Sequence, residues 1–275
     1  RDQPQKVLWP RSARHGGQVV SAPLLKLDQA TIKFGGLTAV NSVTFDLFTG
    51  DLFGLIGPNG AGKTTCFNLI TGVYRPTSGT ITFDGGVING LPPNKIAERG
   101  ICRTFQNIRL FPALSAIENV VVGGYLRHKT SLIGGLMLSP AVLRERDHLF
   151  EQAMELLEVV GLREVAFARA ADLPYGKQRR LEIARAMATQ PKLILLDEPA
   201  AGMNPQEKEE LREVVVRIRD GYQKTVLLIE HDMKFVMGLC ERIVVLDHGE
   251  EIASGGPDAI RSNPKVIEAY LGEPV

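Results

Sequence analysis

The sequence predicts an α/β fold with a mainly parallel sheet, an antiparallel β layer on its N-terminal side and a helical subdomain. In the C-terminal half, wholly apolar runs such as Leu193–Leu196 alternate with helical stripes. This alternation is typical of parallel strands that helices cover on both faces. Near the N-terminus, short strand patterns follow one another with no helix between them, which favours antiparallel pairing.

The N-terminal layer and the strand beside it come from four apolar patterns. The patterns lie at Leu24–Leu27, Val43–Leu47, Leu52–Ile56 and Gly79–Gly86. A loop at Phe34 and the two glycines after it separates the first two strands, and the last pattern runs into a turn. The helix that follows Lys63 ends near Gly72.

The middle of the chain changes from strand to helix character. Gly100–Gln106 is interpreted as a buried strand that ends at a polar residue. Further on, apolar residues recur at helical spacing, which predicts amphipathic helices whose apolar faces pack in the core. These residues are Phe150, Met154, Leu157 and Val160.

The C-terminal part alternates helices with strands. The predicted helices are Arg179–Thr189, a stripe formed by Leu211, Val214, Val215 and Ile218, Met233–Leu239 and a closing helix at Val266–Leu271. The predicted strands are Leu193–Leu196, Thr225–Ile229 and Arg242–Leu246, with a hairpin at Gly249. We therefore predict a flexible N-terminal arm at residues 1–21 and one domain at residues 22–275, with a core at 22–110 and 172–275 and the helical subdomain at about 111–171.

Composition limits the classes of partner. The chain has 275 residues, a formal net charge of +1 and 44% hydrophobic residues, so it carries no strongly basic field and we expect no nucleic-acid partner. No run reaches the roughly 20 apolar residues that a membrane helix needs. Cys66, Cys102 and Cys240 show no C-x-x-C spacing and lie among apolar neighbours, which is typical of reduced core thiols.

A glycine-rich loop between the third strand and the following helix fits the pattern G-x-x-x-x-G-K-[ST]. Its residues are Gly57, Pro58, Asn59, Gly60, Ala61, Gly62, Lys63, Thr64 and Thr65. Such a loop surrounds phosphates with backbone N–H groups, the helix N-terminus favours the same anions, and the hydroxyl of Thr64 can bind Mg²⁺. We therefore predict a P-loop NTPase core that binds a nucleoside triphosphate; a chance glycine-rich turn is the alternative.

Polar residues follow several predicted strands where the carboxyl ends of parallel strands meet. Asp197 is placed to bind the metal, and Glu198 is placed to accept a proton from the attacking water. His231 closes the next strand and is placed to contact the γ-phosphate, and Gln106 ends another. The sequence therefore predicts one hydrolytic site at this edge.

With these residues in place, the chain from about Leu24 onward resembles the ATP-binding cassette (ABC) ATPases. The resemblance implies ATP and Mg²⁺ as cofactors, with Thr64, Gln106 and Asp197 around the metal and Glu198, His231 and Gln106 as catalytic residues. It also implies that Phe34 stacks on the adenine.

The resemblance further implies a second ATPase subunit, because cassettes of this kind bind the partner's ATP through a signature segment. The matching residues here are Pro174, Tyr175, Gly176 and Lys177. Pro174 and Tyr175 replace the serine and a glycine of the common Leu-Ser-Gly-Gly-Gln form, and Asn204 stands where an aspartate is common. The helix dipole and the Gly176 amide remain as anion donors.

The departures resemble those of the branched-chain amino acid importer ATPases. This narrower resemblance implies membrane permease subunits that contact the helical subdomain, a solute-binding protein that acts indirectly, and a peripheral position at the cytoplasmic face of the membrane. The alternatives that stay open are another ABC system, such as lipopolysaccharide export or urea or amide uptake, a soluble phosphotransferase, and a non-transport cassette protein acting on DNA or ribosomes.

Overall fold

The computed structural model describes residues 22–125 and 140–271. The flexible arm predicted at residues 1–21 lies outside the described residues.

The antiparallel layer predicted at the N-terminal side is present. β1 (Leu25–Phe34), β2 (Leu37–Leu47), β4 (Ser78–Phe83) and β5 (Gly86–Val87) form one sheet in the order β2-β1-β4-β5. β1 and β2 run up to the hairpin at Phe34, well beyond the predicted strand patterns. The β1–β2 register shifts between Leu27 and Lys33, and each shift interrupts the two-residue alternation from which strands are recognised.

A second sheet has six strands among the described residues and carries the parallel core. It consists of β3 (Leu52–Ile56), β6 (Ile101–Arg103), β7 (Leu193–Asp197), β8 (Thr225–Ile229), β9 (Arg242–Asp247) and β10 (Glu250–Gly255), in the order β10-β9-β3-β8-β7-β6. All neighbouring pairs are parallel except β9–β10. The sheet confirms the predicted α/β class.

The strand predicted at Gly100–Gln106 is shorter than expected. β6 ends at Arg103, and Gln106 lies in the loop that follows. The N–H of Thr104 still bonds to the carbonyl of Leu195 in β7 at 2.9 Å. From Phe105 onward the partners are helix side chains, since Glu182 accepts from the N–H of Phe105 at 3.5 Å and Arg179 donates to its carbonyl at 2.5 Å.

The described helices surround the second sheet. They are α1 (Lys63–Ile70), α2 (Pro93–Arg99), α3 (Ala116–Gly124), α4 (Pro140–Val159), α5 (Tyr175–Ala188), α6 (Pro205–Tyr222), α7 (Met233–Leu239), α8 (Pro257–Arg261) and α9 (Pro264–Leu271), with short 3₁₀ helices at Arg163–Val165 and Ala170–Asp172.

The parallel strands are buried on both faces. In β3, Leu52 and Ile56 belong to the core on the helical side, whereas Phe53 and Leu55 belong to the core between the two sheets. Because successive side chains of a strand point to opposite faces, two cores require apolar residues at every position. This explains the wholly apolar runs of the sequence.

The prediction that Phe150 lies in the core is wrong. Phe150 is 42% exposed and lies beside Phe167, with the ring centroids 6.4 Å apart. Leu157, which the sequence also predicts, is buried, but the stripe continues through Leu149 and Ala153 and not through Phe150. The spacing alone fits both stripes, and α4 packs on α3 and α5 through the second one.

None of the described helices is both long enough and apolar enough to cross a membrane. The three cysteines are unbridged, and Cys66 and Cys240 are buried. Burial raises the pKa of the Cys66 thiol to about 12 and also raises the pKa of the Cys240 thiol.

The buried thiols lead to a first prediction. Because the thiolate is the reactive form, Cys66 and Cys240 should resist iodoacetamide at pH 8 in the folded protein and react after unfolding in urea. Peptide mass spectrometry of both samples measures this. Rapid alkylation of Cys66 in the folded protein would contradict its burial beneath the phosphate loop.

Candidate nucleotide-binding site

The phosphate loop joins β3 to α1 and is shaped by two glycines. An added Cβ at Gly57 would lie 2.1 Å from the carbonyl oxygen of Leu246, and one at Gly62 would lie 2.6 Å from that of Ala39. Both residues have positive φ, 148° and 96° respectively. Any larger residue would collide with backbone, so these positions require glycine.

The open side of the loop presents groups suited to anions. Asn59, Gly60 and Thr64 are exposed, Pro58 and Thr65 are half-buried, and Ala61 is buried. No side chain caps the N-terminus of α1. Its first N–H groups therefore remain as donors toward a phosphate.

The side chain of Lys63 bonds to the backbone of its own phosphate loop. Its Nζ donates to the carbonyl oxygens of Gly57 at 2.7 Å and Pro58 at 2.8 Å. Burial lowers the pKa of the Lys63 ammonium, while the carboxylates of Glu198 and Asp197 act in the opposite direction. The lysine thus has its charge near both acidic residues and has backbone oxygens as hydrogen-bond acceptors.

Asp197 ends β7 and forms a buried ion pair. Its Oδ2 lies 2.6 Å from Nη2 of Arg103, with side-chain exposures of 7% and 9%. Nη1 of Arg103 donates to Asn68 at 2.7 Å, and the guanidinium lies 5.5 Å from the ring centroid of Phe67 and 5.4 Å from that of Phe105. Arg103 is therefore fixed by several contacts besides Asp197.

Glu198 follows at the turn after β7 and meets two of the predicted catalytic residues. Its φ of 46° is rare for a residue other than glycine. Nε2 of Gln106 donates to Oε2 of Glu198 at 2.8 Å, and Nδ1 of His231 lies 3.7 Å from the same oxygen. The structure thus brings Gln106, Glu198 and His231 together, as the sequence predicts, although Gln106 reaches the group from a loop.

Phe34 and the signature residues lie on other elements. Phe34 is 45% exposed at the β1–β2 hairpin, edge-on to Tyr74 with the ring centroids 5.1 Å apart. Pro174 precedes α5, and Tyr175 and Lys177 lie in its first turn with the buried Gly176 between them. A Cβ at Gly176 would lie 2.6 Å from Oε1 of Glu207, so this turn packs directly against α6.

Four charged residues with buried side chains were not predicted from the sequence: Arg103, Arg179, Glu182 and Glu230. Arg103 was visible only as a charge in an apolar strand, and Arg179 only as one of several arginines in a helix. Glu230 precedes His231 and accepts from the N–H of Ala200 at 2.7 Å. Burial raises the pKa of Glu230, while backbone hydrogen bonds from Ala200 and His231 act in the opposite direction.

The chain matches a known protein family. The family model described as ABC transporter matches residues 40–201. The chain belongs to the ABC transporter family. It is therefore an ABC-type ATPase that binds a nucleotide, and the P-loop fold and the ATPase activity implied by the sequence are confirmed. A second model, described as branched-chain amino acid ATP-binding cassette transporter, matches residues 250–275.

Relatives and solved structures agree with the family assignment. The high-affinity branched-chain amino acid transport ATP-binding protein LivG of Salmonella typhimurium is 50% identical over 92% of this chain and 100% of its own length. BraF of Pseudomonas aeruginosa, which has the same printed function, is 49% identical over the same shares. The crystal structure of the ADP conformation of MJ1267, an ATP-binding cassette of an ABC transporter, has a TM-score of 0.80 at 30% identity and covers 92% of this chain and 100% of that one.

The ion pair of Asp197 leads to a second prediction. Arg103→Met keeps the length of the side chain but leaves a buried carboxylate without its cation, and breaking a buried pair on one side costs about 3–5 kcal/mol. We expect the free energy of unfolding of the nucleotide-free protein to fall by about that amount in urea denaturation. The double variant Arg103→Met with Asp197→Asn should recover part of the loss, because the amide carries no charge. A double variant as unstable as Arg103→Met would show that the loss comes from packing around the rings.

Proposed function

We propose that this protein is the ATP-hydrolysing subunit of a membrane importer for branched-chain or related amino acids. The observation that carries the proposal is the match to relatives of that printed function over their whole length, at about half of all positions. The match of residues 250–275 to the branched-chain cassette model supports the same substrate class. The lipopolysaccharide export ATP-binding protein LptB of Acidithiobacillus ferridurans is a weaker match, at 35% identity.

ATP binding exchanges contacts within the phosphate loop. Lys63 gives up the carbonyl oxygens of Gly57 and Pro58 and donates to phosphate oxygens, while the N–H groups of the loop and of the first turn of α1 point at the same anion. Phe34 offers its exposed ring to the adenine, since stacking does not depend on the base edge.

The donor set near the loop fits a magnesium ion. Thr64 provides a hydroxyl, Gln106 an amide oxygen and Asp197 a carboxylate, and hard oxygen ligands of this kind suit Mg²⁺. A magnesium ion bound with ATP would neutralise charge on the β- and γ-phosphates. Asp197 would hold the ion while it keeps its ion pair with Arg103.

Hydrolysis depends on freeing Glu198. Oε2 of Glu198 accepts from Gln106, and a carboxylate that is to act as general base must have an oxygen available for the proton of the attacking water. When Gln106 turns toward the γ-phosphate and its metal, the carboxylate is released to act as general base. His231, which lies beside the same oxygen, orients the phosphate and the water.

A second ATPase subunit completes the site. The first turn of α5 has no side-chain cap, so its N–H groups can bind the γ-phosphate of the ATP held by a partner. A relative described as the dimeric structure of the bacterial ABC transporter cassette MJ0796 has a TM-score of 0.71 at 26% identity and covers 85% of this chain. We therefore place two ATP molecules between two such subunits.

The permease contact belongs to the helical region. The loop of Gln106 leads into the segment with α3 and α4, so gain or loss of the γ-phosphate can shift these helices. We propose that they contact the permease subunits, that the protein lies peripherally at the cytoplasmic face of the membrane, and that a solute-binding protein acts through the permeases.

Glu198→Gln provides the third prediction. The variant keeps the side-chain shape but removes the base, and loss of a general base typically costs 10²–10⁴ in rate. We expect ATP binding to persist, ATP-dependent dimers to accumulate in size-exclusion chromatography, and turnover to fall by at least about 100-fold. Substantial turnover by Glu198→Gln would exclude Glu198 as the base.

Uptake by cells provides the fourth prediction. In cells of the source organism that lack this chain, we expect uptake of radiolabelled leucine, isoleucine and valine to fall and to be restored by the wild-type chain but not by Glu198→Gln. Proline uptake serves as the control and should stay unchanged. Unaltered uptake of all three branched-chain amino acids, together with a defect in lipopolysaccharide export, would favour the alternative system.

A further inference from the structure

Tyr175 makes contacts within its own subunit that its position in the signature segment did not reveal. The side chain is 43% exposed, and one side of the ring faces the backbone of Gly202. A Cβ added to Gly202 would lie 3.4 Å from Cε1 of Tyr175. Gly202 belongs to the turn that follows Glu198, so the ring connects the start of α5 with the segment that carries the general base.

The hydroxyl of Tyr175 is held by a buried arginine. Nη2 of Arg179 donates to it at 3.1 Å, and the guanidinium lies 5.6 Å from the centroid of the same ring. The side chain of Arg179 is only 2% exposed and pairs with Glu182 at 3.1 Å. Burial raises the pKa of Glu182, while the charge of Arg179 acts in the opposite direction.

The same arginine anchors the loop of Gln106. Arg179 donates to the carbonyl oxygens of Phe105 and Gln106, and Glu182 accepts from the N–H groups of Phe105 at 3.5 Å and Arg109 at 3.4 Å. Four backbone groups of this loop are thus satisfied by two side chains of α5. A displacement of α5 must therefore carry the loop with it or break several buried hydrogen bonds.

These contacts form a closed series around the general base, which we call the circuit. From Glu198 the circuit passes through the hydrogen bond of Gln106 at 2.8 Å, through Arg179 and Tyr175, and back through Gly202 to the turn after Glu198. The first turn of α5 is also the surface offered to the partner's nucleotide. Tyr175 thus links the partner-facing surface to both residues that touch in the hydrolytic site.

We propose that Tyr175 is a positioning residue, whose ring and hydroxyl make the start of α5, the Gln106 loop and the turn after Glu198 move as one unit when the partner's ATP binds. The proposal rests on the two-subunit site described under the proposed function. The backbone N–H groups of the first turn of α5 contact the partner's phosphate, and the side chain of Tyr175 makes contacts only within its own subunit.

Kinetics of Tyr175→Phe test the proposal most directly. The substitution removes only the hydroxyl and keeps the ring over Gly202. We expect kcat for ATP hydrolysis to fall about tenfold, equivalent to about 1.4 kcal/mol in transition-state stabilisation, with KM for ATP unchanged. Tyr222→Phe is the matched control, because Tyr222 ends α6 near the opposite edge of the sheet, and it should keep the wild-type kcat. A wild-type kcat in Tyr175→Phe would overturn the proposal.

Dimer formation separates positioning from direct contact with the nucleotide. In the Glu198→Gln background, Tyr175→Phe should dimerise at the same ATP concentration as Glu198→Gln alone, because the backbone donors are intact. If the hydroxyl bound the partner's phosphate, the double variant would need several-fold more ATP to dimerise, and the positioning role would be rejected. A failure of Glu198→Gln itself to dimerise would instead count against the proposed two-subunit function.

A double-variant cycle tests the contact with Gly202. Gly202→Ala is strained wherever it is introduced, because φ is 74°, but this strain is common to both arms of a cycle and cancels. We expect Gly202→Ala to lower kcat less in the Tyr175→Ala background, where the ring is absent, than in the wild type. Equal effects in both backgrounds would show that ring and turn are uncoupled.

Discussion

The parallel pairing of β8 with β3 and β7 is the constraint on which the site depends. β3 delivers the phosphate loop, β7 delivers Asp197 and Glu198, and β8 delivers Glu230 and His231, with β8 between the other two. Parallel strands in register end at one edge, so residues far apart in sequence meet there. Parallel strands need a crossover connection, which is usually a helix, and α5 and α6 lie in the connections before and after β7.

The polar groups of the site satisfy one another. Lys63 bonds backbone oxygens, Asp197 pairs with Arg103, and Glu198 accepts from Gln106. Unpaired charges at a buried sheet edge would be costly, and these pairings avoid that cost. A ligand must then supply replacements for each contact that it breaks.

Much of the fold could be predicted because the sequence patterns follow local geometry. The bounds of β3, β8 and α7 agree with the apolar runs, and the phosphate loop is contiguous in sequence. Lateral contacts could not be predicted in this way. Periodicity does not distinguish the stripe through Phe150 from the one through Leu149, because the choice depends on the helices against which α4 packs. The partners of Arg103 likewise come from separate segments that the sequence does not connect.

The departures from the common cassette form are better understood through these lateral contacts. Asn204 caps α6 in a capping box with Glu207, accepting from its N–H at 2.9 Å, and Glu207 in turn packs against Gly176. The turn after Glu198 is therefore held at its far end by α6 and in its middle by the ring of Tyr175. An aspartate at position 204 would cap the helix equally well, so capping alone does not explain the asparagine. A neutral residue there does, however, avoid adding charge beside Glu207. The contact between Tyr175 and Gly202 is a direct link within one subunit between the start of α5 and the turn after Glu198.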